Sequence, residues 1–283
     1  MFTEQQEDRK IIDNTLIQSY IFSFNAPIMI TFSPAGSTLT SKQVAEGANA
    51  WGYDFFKKNN INILAFSAID HKHWFTSKLL KSFIQQLTPQ LTNFPERLGY
   101  AASMGAYALS NNYNELLIDR MLLITPITST EEHNQLTNFN YANNYLGQLT
   151  ILVDPFCIQD KTESKKYPPH STRLVFPGVG HRVIESLSQI GYLKPLIFQF
   201  INNDINRYQF SKKIRQRRNI SRYYSYMMRN PTQKNSKKRR SVIRRYKIIW
   251  SLDNIDLLLN GFWMQRKKSI DKRIKVLANK LHK

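Results

Sequence analysis

The sequence is short of several things that would otherwise class it. It has one cysteine, Cys157, in 283 residues, which excludes a disulfide framework and a cysteine-rich zinc module. It has no uncharged apolar run of the ~18 residues that a membrane-spanning helix needs. The most apolar stretch, residues 248–264, is interrupted by Asp253 and Asp256. The start, MFTEQQEDRK, lacks the apolar core of a signal peptide. A cytoplasmic protein is therefore expected, and a basic end of the chain would permit peripheral attachment at the inner face of the membrane. Carboxylates are scarce as well, but only at that end. Residues 205–283 hold 24 of the 40 Lys and Arg but 3 of the 20 Asp and Glu, leaving 16 basic and 17 acidic residues in the first 204. Two regions are expected: a nearly neutral body, 1–204, and a basic, mainly helical region, 205–283. The body is long enough to bury a core.

Along the body, short apolar runs alternate with helical patterns. Residues 15–24 read as extended. Residues 26–32 (APIMITF) and 61–66 (INILAF) read as buried strands, the first ending in the turn 33–37. Helices are expected over 45–58 and over 74–87, the latter with Leu79, Leu80, Phe83, Ile84 and Leu87 at helical spacing. Further strands are expected at 97–101, 121–125, 149–153 and 172–176, followed by helices at 183–190 and 193–202. Alternation of this kind predicts an α/β fold, a mostly parallel sheet flanked by helices.

In such sheets functional groups gather beyond the carboxyl ends of strands. Three of these ends carry a serine, a carboxylate and a histidine. The first is Ala101-Ala102-Ser103-Met104-Gly105. A nucleophile on a sharp strand-to-helix turn needs small residues two places before and after it, and Ala101 and Gly105 meet that need. Taken alone, Ser103 serves equally well as a helix N-cap. The second end offers Asp154-Pro155 and, farther along the loop, Asp160. Asp160 is the first choice to orient a histidine, because it lies in the loop after the strand. Asp154 is the alternative, although an aspartate before proline also suits a turn. The third end is Gly178-Val179-Gly180-His181. The three together form a candidate Ser-His-Asp triad.

With these residues the sequence resembles the α/β-hydrolase superfamily over about residues 26–200. It looks like a compact bacterial branch whose elbow reads S-M-G-[GA]-Y, here Ser103 to Tyr107. Sequences of that branch occur in loci for cell-surface polysaccharides, among other places. They also carry H-W-[FY], D-P-x₄-D and G-x-G-H, matched by His73-Trp74-Phe75, by Asp154, Pro155 and Asp160, and by Gly178, Gly180 and His181. Ala101 replaces the usual first elbow glycine. The resemblance implies a serine-hydrolase fold and leaves the substrate open. The only room for a cap is 128–148.

The expected chemistry is ester cleavage by Ser103 with His181 as base, on a surface-glycan or lipid ester. The oxyanion would be held by the backbone of Met104 and of the Ala35-Gly36 turn, and His73, Trp74 and Tyr107 would contact substrate. No cofactor is expected. His71 and His73 are spaced for a metal, but no third ligand is evident, so no metal site is assigned. Cys157 reads as a small buried hydrophobe rather than a nucleophile. In the basic region, Lys and Arg interleave with Tyr208, Phe210, Tyr223, Tyr224 and Tyr226. That pattern suits an anionic membrane or an acidic glycan first and nucleic acid second. Two other readings use the same residues. One is a catalytically silent hydrolase scaffold binding polyanions through its tail; the other is an acyltransferase using Ser103.

Overall fold

The computed structural model describes residues 2–70, 73–128, 144–229, 237–256, 258–264 and 266–267. The chain divides into two compact units, Met1–Arg215 and Gln216–Lys283. The compositional change near residue 205 falls before this division, and a short helix, Arg207–Lys213, lies between the two points.

The first unit is built on eight strands: β1 Glu7–Ile12, β2 Thr15–Tyr20, β3 Ile28–Phe32, β4 Asn62–Ala68, β5 Arg97–Ala102, β6 Arg120–Ile124, β7 Gln148–Val153 and β8 Thr172–Val175. Their order across the sheet is β1-β2-β4-β3-β5-β6-β7-β8. β2 runs antiparallel to both its neighbours and every other pair is parallel. This is the α/β-hydrolase type of sheet. β3 and β4 are buried throughout and β5 to β7 nearly so, as strands covered on both faces must be. Because β4 lies on one side of β3 and β5 on the other, the chain reverses its direction of travel there. The crevice beyond the ends of β3 and β5 is the place such a sheet offers to a ligand.

Helices α1 Ser41–Ala45, α2 Tyr53–Lys58, α3 Lys78–Leu91, α4 Met104–Asn112, α5 Ile158–Ser164, α6 Val183–Gln189, α7 Leu193–Ile201 and α8 Arg207–Lys213 connect and flank the strands. Two expectations are corrected here. The helix expected over 45–58 forms only at its C-terminal end, as α2; α1 ends at Ala45, and Gly47 and Gly52, at φ of 89° and 86°, hold the chain out of helix between them. The helix over 74–87 begins only at Lys78, where the Ser77 hydroxyl accepts the Leu80 N–H at 3.2 Å. Its buried face is Leu80, Ile84, Leu87 and Leu91, whereas Leu79 is exposed.

Helix α4 crosses the end of β3 at close quarters. A Cβ on Gly105 would stand 2.2 Å from the Phe32 carbonyl oxygen and 3.0 Å from that of Ser33. Both are backbone atoms and cannot swing aside. Gly105→Ala is therefore expected to cost at least about 2 kcal/mol, read as a lowered Tm. Gly36→Ala is the control, since its added carbon meets nothing within 4 Å. Equal melting of the two variants would overturn this account of the crossing.

In the second unit, α9 Ser221–Arg229 and α10 Lys237–Asp253 are described. Tyr224, Met227 and Ile243 are buried, and the Trp250 indole donates to the Asn219 carbonyl at 2.9 Å. Ile248, Leu252, Ile255, Leu259 and Phe262 recur at helical spacing and are exposed. Among the described residues, no helix is long and apolar enough to cross a membrane.

Candidate active site

Ser103 stands between β5 and α4 with φ 51° and ψ −120°. A side chain at positive φ outside the left-handed helical well costs on the order of 1–3 kcal/mol and persists only where the surroundings impose it. Here the Ser103 N–H donates to the Ile124 carbonyl at 3.0 Å, and the α4 crossing fixes the next turn. Ala101, in the place of the more usual glycine, is fully buried and pairs with Phe32 and Leu123 on either side. A methyl group fits there.

His181 follows β8 after a turn in which Gly178 and Gly180 take φ of 89° and 66°. The turn is held from outside. Asp154, at the end of β7 and fully buried, accepts backbone N–H groups from Gly178, Val179 and Gly180 at 3.0, 2.8 and 2.5 Å through one oxygen, and from Phe156 at 2.8 Å through the other. Burial raises the Asp154 pKa, and the four N–H donors offset part of the rise. Asp154 makes no hydrogen bond to His181. It clamps the loop that carries the imidazole.

Asp160 makes that bond. It sits in the first turn of α5, fully buried, with Oδ1 2.6 Å from His181 Nδ1. On the other side of the ring, His181 Nε2 lies 2.9 Å from Ser103 Oγ. A proton on Nδ1, donated to Asp160, leaves Nε2 free to accept the serine hydroxyl. The imidazole itself is 37% exposed, so the relay opens outward. The structure thus brings Ser103, His181 and Asp160 together, and it gives Asp154 a different task from the alternative read in the sequence.

The opening is a cleft of about 350 Å³ lined by Gly36, Ser37, Trp51, Thr125, Arg182 and Glu185, among others. Ala35 and Gly36 open a short 3-10 turn, Ala35–Ser37, just after β3. Met104 is the first residue of α4, and the first N–H groups of a helix have no acceptor within it. Sequence reasoning missed Trp51, Thr125, Arg182 and Glu185. Thr125 had a usable signal, because it stands at the carboxyl end of the strand expected over 121–125 and just beyond β6. Arg182 and Glu185, paired at 3.2 Å, look in sequence like any charges on a helix start.

Three expected substrate contacts lie elsewhere. His73 is occupied on both ring nitrogens: Nε2 is 2.9 Å from the carbonyl of Asn14 in the β1–β2 turn, and Nδ1 accepts the Phe75 N–H at 3.1 Å. Trp74 and Tyr107 belong to the buried core and meet edge to face at 5.4 Å between centroids. Their apolar area is better used there than against solvent. His71 and most of the 128–148 segment, residues 129–143, lie outside the described residues. Cys157 is half-buried rather than buried. Burial, with Asp160 and Asp154 nearby, pushes its thiol up to about 11, so it is no thiolate nucleophile at neutral pH. Among the described residues, no group of three or more His, Cys, Asp or Glu is gathered for a metal ion.

No protein-family model matches the chain, and no curated protein matches it. Solved structures are similar in outline. The capsule O-acetyltransferase of Neisseria meningitidis serogroup A in complex with caged gadolinium is 13% identical, over 69% of this chain and 93% of that one, with a TM-score of 0.47. Est1E from Butyrivibrio proteoclasticus is 10% identical over 68% and 98%, with a TM-score of 0.45. An alpha-beta serine hydrolase homologue from Coxiella burnetii is 12% identical over 72% and 99%, with a TM-score of 0.43.

Proposed function

We propose that the protein is a serine hydrolase of the esterase or deacylase type, with Ser103 as nucleophile, His181 as general base and acid, and Asp160 as the orienting acid. Ser103 Oγ attacks the ester carbonyl while His181 Nε2 takes its proton. Negative charge gathers on the carbonyl oxygen, and the N–H groups of Met104 and of the Ala35-Gly36 turn are its donors in this reading. Collapse of the tetrahedral intermediate breaks the C–O bond, and the imidazolium returns the proton to the departing alcohol. Water then repeats the sequence on the acyl-serine and frees the acid. Asp160 stays ionised throughout and stabilises the imidazolium.

The observation that carries this reading is the unbroken chain Ser103 Oγ–His181 Nε2 and His181 Nδ1–Asp160 Oδ1, at 2.9 and 2.6 Å, on a serine held at positive φ beside an open cleft. A fluorophosphonate probe tests it. Wild-type protein should be labelled on Ser103 and the folded Ser103→Ala variant should not. A folded wild-type protein that stays unlabelled sinks the proposal. Product analysis with an alcohol present then shows whether water or the alcohol takes the acyl group.

A further inference from the structure

Beside the catalytic cleft lies a second cavity, of about 430 Å³, that does not reach Ser103 or His181. Its walls include Trp51, Phe55, Tyr100, Ile184, Leu193 and Ile197, with Lys194 as its one charged lining residue. The two spaces share two lining residues, Trp51 and Ile184. Their characters differ. The first is rimmed by Ser37, Thr125, Arg182 and Glu185; the second is mostly aromatic and aliphatic.

Trp51 is held at the boundary of the two spaces. The Trp51 N–H donates to Ser67 Oγ at 2.7 Å, and its carbonyl accepts the Thr31 hydroxyl at 2.9 Å, which pins its backbone to β4 and β3. Its indole stacks on Tyr100 at 5.2 Å between centroids. Gly52, at φ 86°, makes the bend that follows. An apolar space of this size, preformed and next to convergent polar groups, is what small-molecule sites look like.

An ester whose carbonyl sits at Ser103 must send its acyl and alcohol parts in different directions. A hydrated alcohol suits the charged rim of the first cleft. An alkyl chain finds apolar cover past Trp51 and Ile184. We infer that the second cavity receives the acyl chain, and that the substrate class is esters of aliphatic fatty acids carried on a polar alcohol. This inference rests on the proposed role of Ser103.

The test uses the full chain and p-nitrophenyl esters from acetate to decanoate. kcat/KM should rise about fourfold per methylene over the first few carbons, with octanoate at least tenfold above acetate. Leu193→Trp, which places an indole in the second cavity, should bring the octanoate-to-acetate ratio close to one. In parallel, decanoate is titrated calorimetrically into wild type and into Leu193→Trp. Binding to the first and loss from the second support the inference even if that variant is a poor enzyme. A flat or falling ester series on protein whose Ser103 takes the fluorophosphonate probe overturns the acyl-chain inference alone, as does absence of decanoate binding. Failure of the Ser103 reading looks different: no probe label and no turnover of any ester, while decanoate binding still decides what the cavity holds.

Discussion

Replacing Ser103 by alanine is expected to lower kcat/KM on an aryl ester by about 10⁵–10⁶, as loss of the nucleophile does where a triad acts as a unit. The residual rate would come from binding and the oxyanion donors. The fold should tolerate the change. Ser103 Oγ bonds to His181 alone among the hydrogen bonds identified, and the positive φ is imposed on either residue by the Ile124 carbonyl and the α4 crossing. Melting temperatures within a few degrees would show that chemistry rather than structure was lost. A fall of less than tenfold would remove Ser103 from the mechanism.

Asp160→Asn should cost about 10⁴ in kcat, close behind. An amide turned with its NH₂ toward the ring favours the wrong imidazole tautomer, with the proton on Nε2 facing Ser103. Asp160 is fully buried and His181 Nδ1 is 2.6 Å away, so the amide would keep the carboxylate's place against the ring. Asp154→Asn should behave differently. Its side chain would present a donor to N–H groups that now share a carboxylate, and unsatisfied buried N–H groups cost about 1–3 kcal/mol each. Partial relaxation makes a net loss of about 2–4 kcal/mol the expectation, with a rate loss far smaller than that of Asp160→Asn. Paired denaturant and kinetic measurements on both variants would separate the two aspartates. The reverse pattern would transfer the orienting role to Asp154.

The order of strands and helices and the meeting of three distant residues were legible because each rests on a local pattern: an apolar run, a turn, then a reactive side chain. β1 was not legible. Its sequence, EDRKII, is charged because it is an edge strand facing solvent on much of its surface, and it pairs with β2 along its length through the Asp13-Asn14 turn, at φ 43° and 57°. The break between α1 and α2 was hidden for another reason. Gly47 and Gly52 are tolerated in a helical pattern until their backbone angles are seen. His73, Trp74 and Tyr107 misled because aromatic and imidazole groups after a strand suit a binding site and a core equally well. Only packing decides between them. Trp51 lay inside the helix expected over 45–58 and Arg182 just before the one expected over 183–190, so neither position pointed to a cleft wall.

The end of β7 has a consequence for how activity fails on heating. From it come both Asp154, which tethers the Gly178-Val179-Gly180 turn, and the loop leading to Asp160. His181 and Asp160 thus hang from one anchor, while Ser103 leaves from β5, with β6 between. Slippage between β5 and β7 would stretch the hydroxyl–imidazole link first and leave the imidazole–carboxylate link intact. Turnover should therefore fade on gentle warming while the downfield proton resonance of His181 Nδ1 survives. Disappearance of that signal ahead of activity would show that the anchor itself gives way.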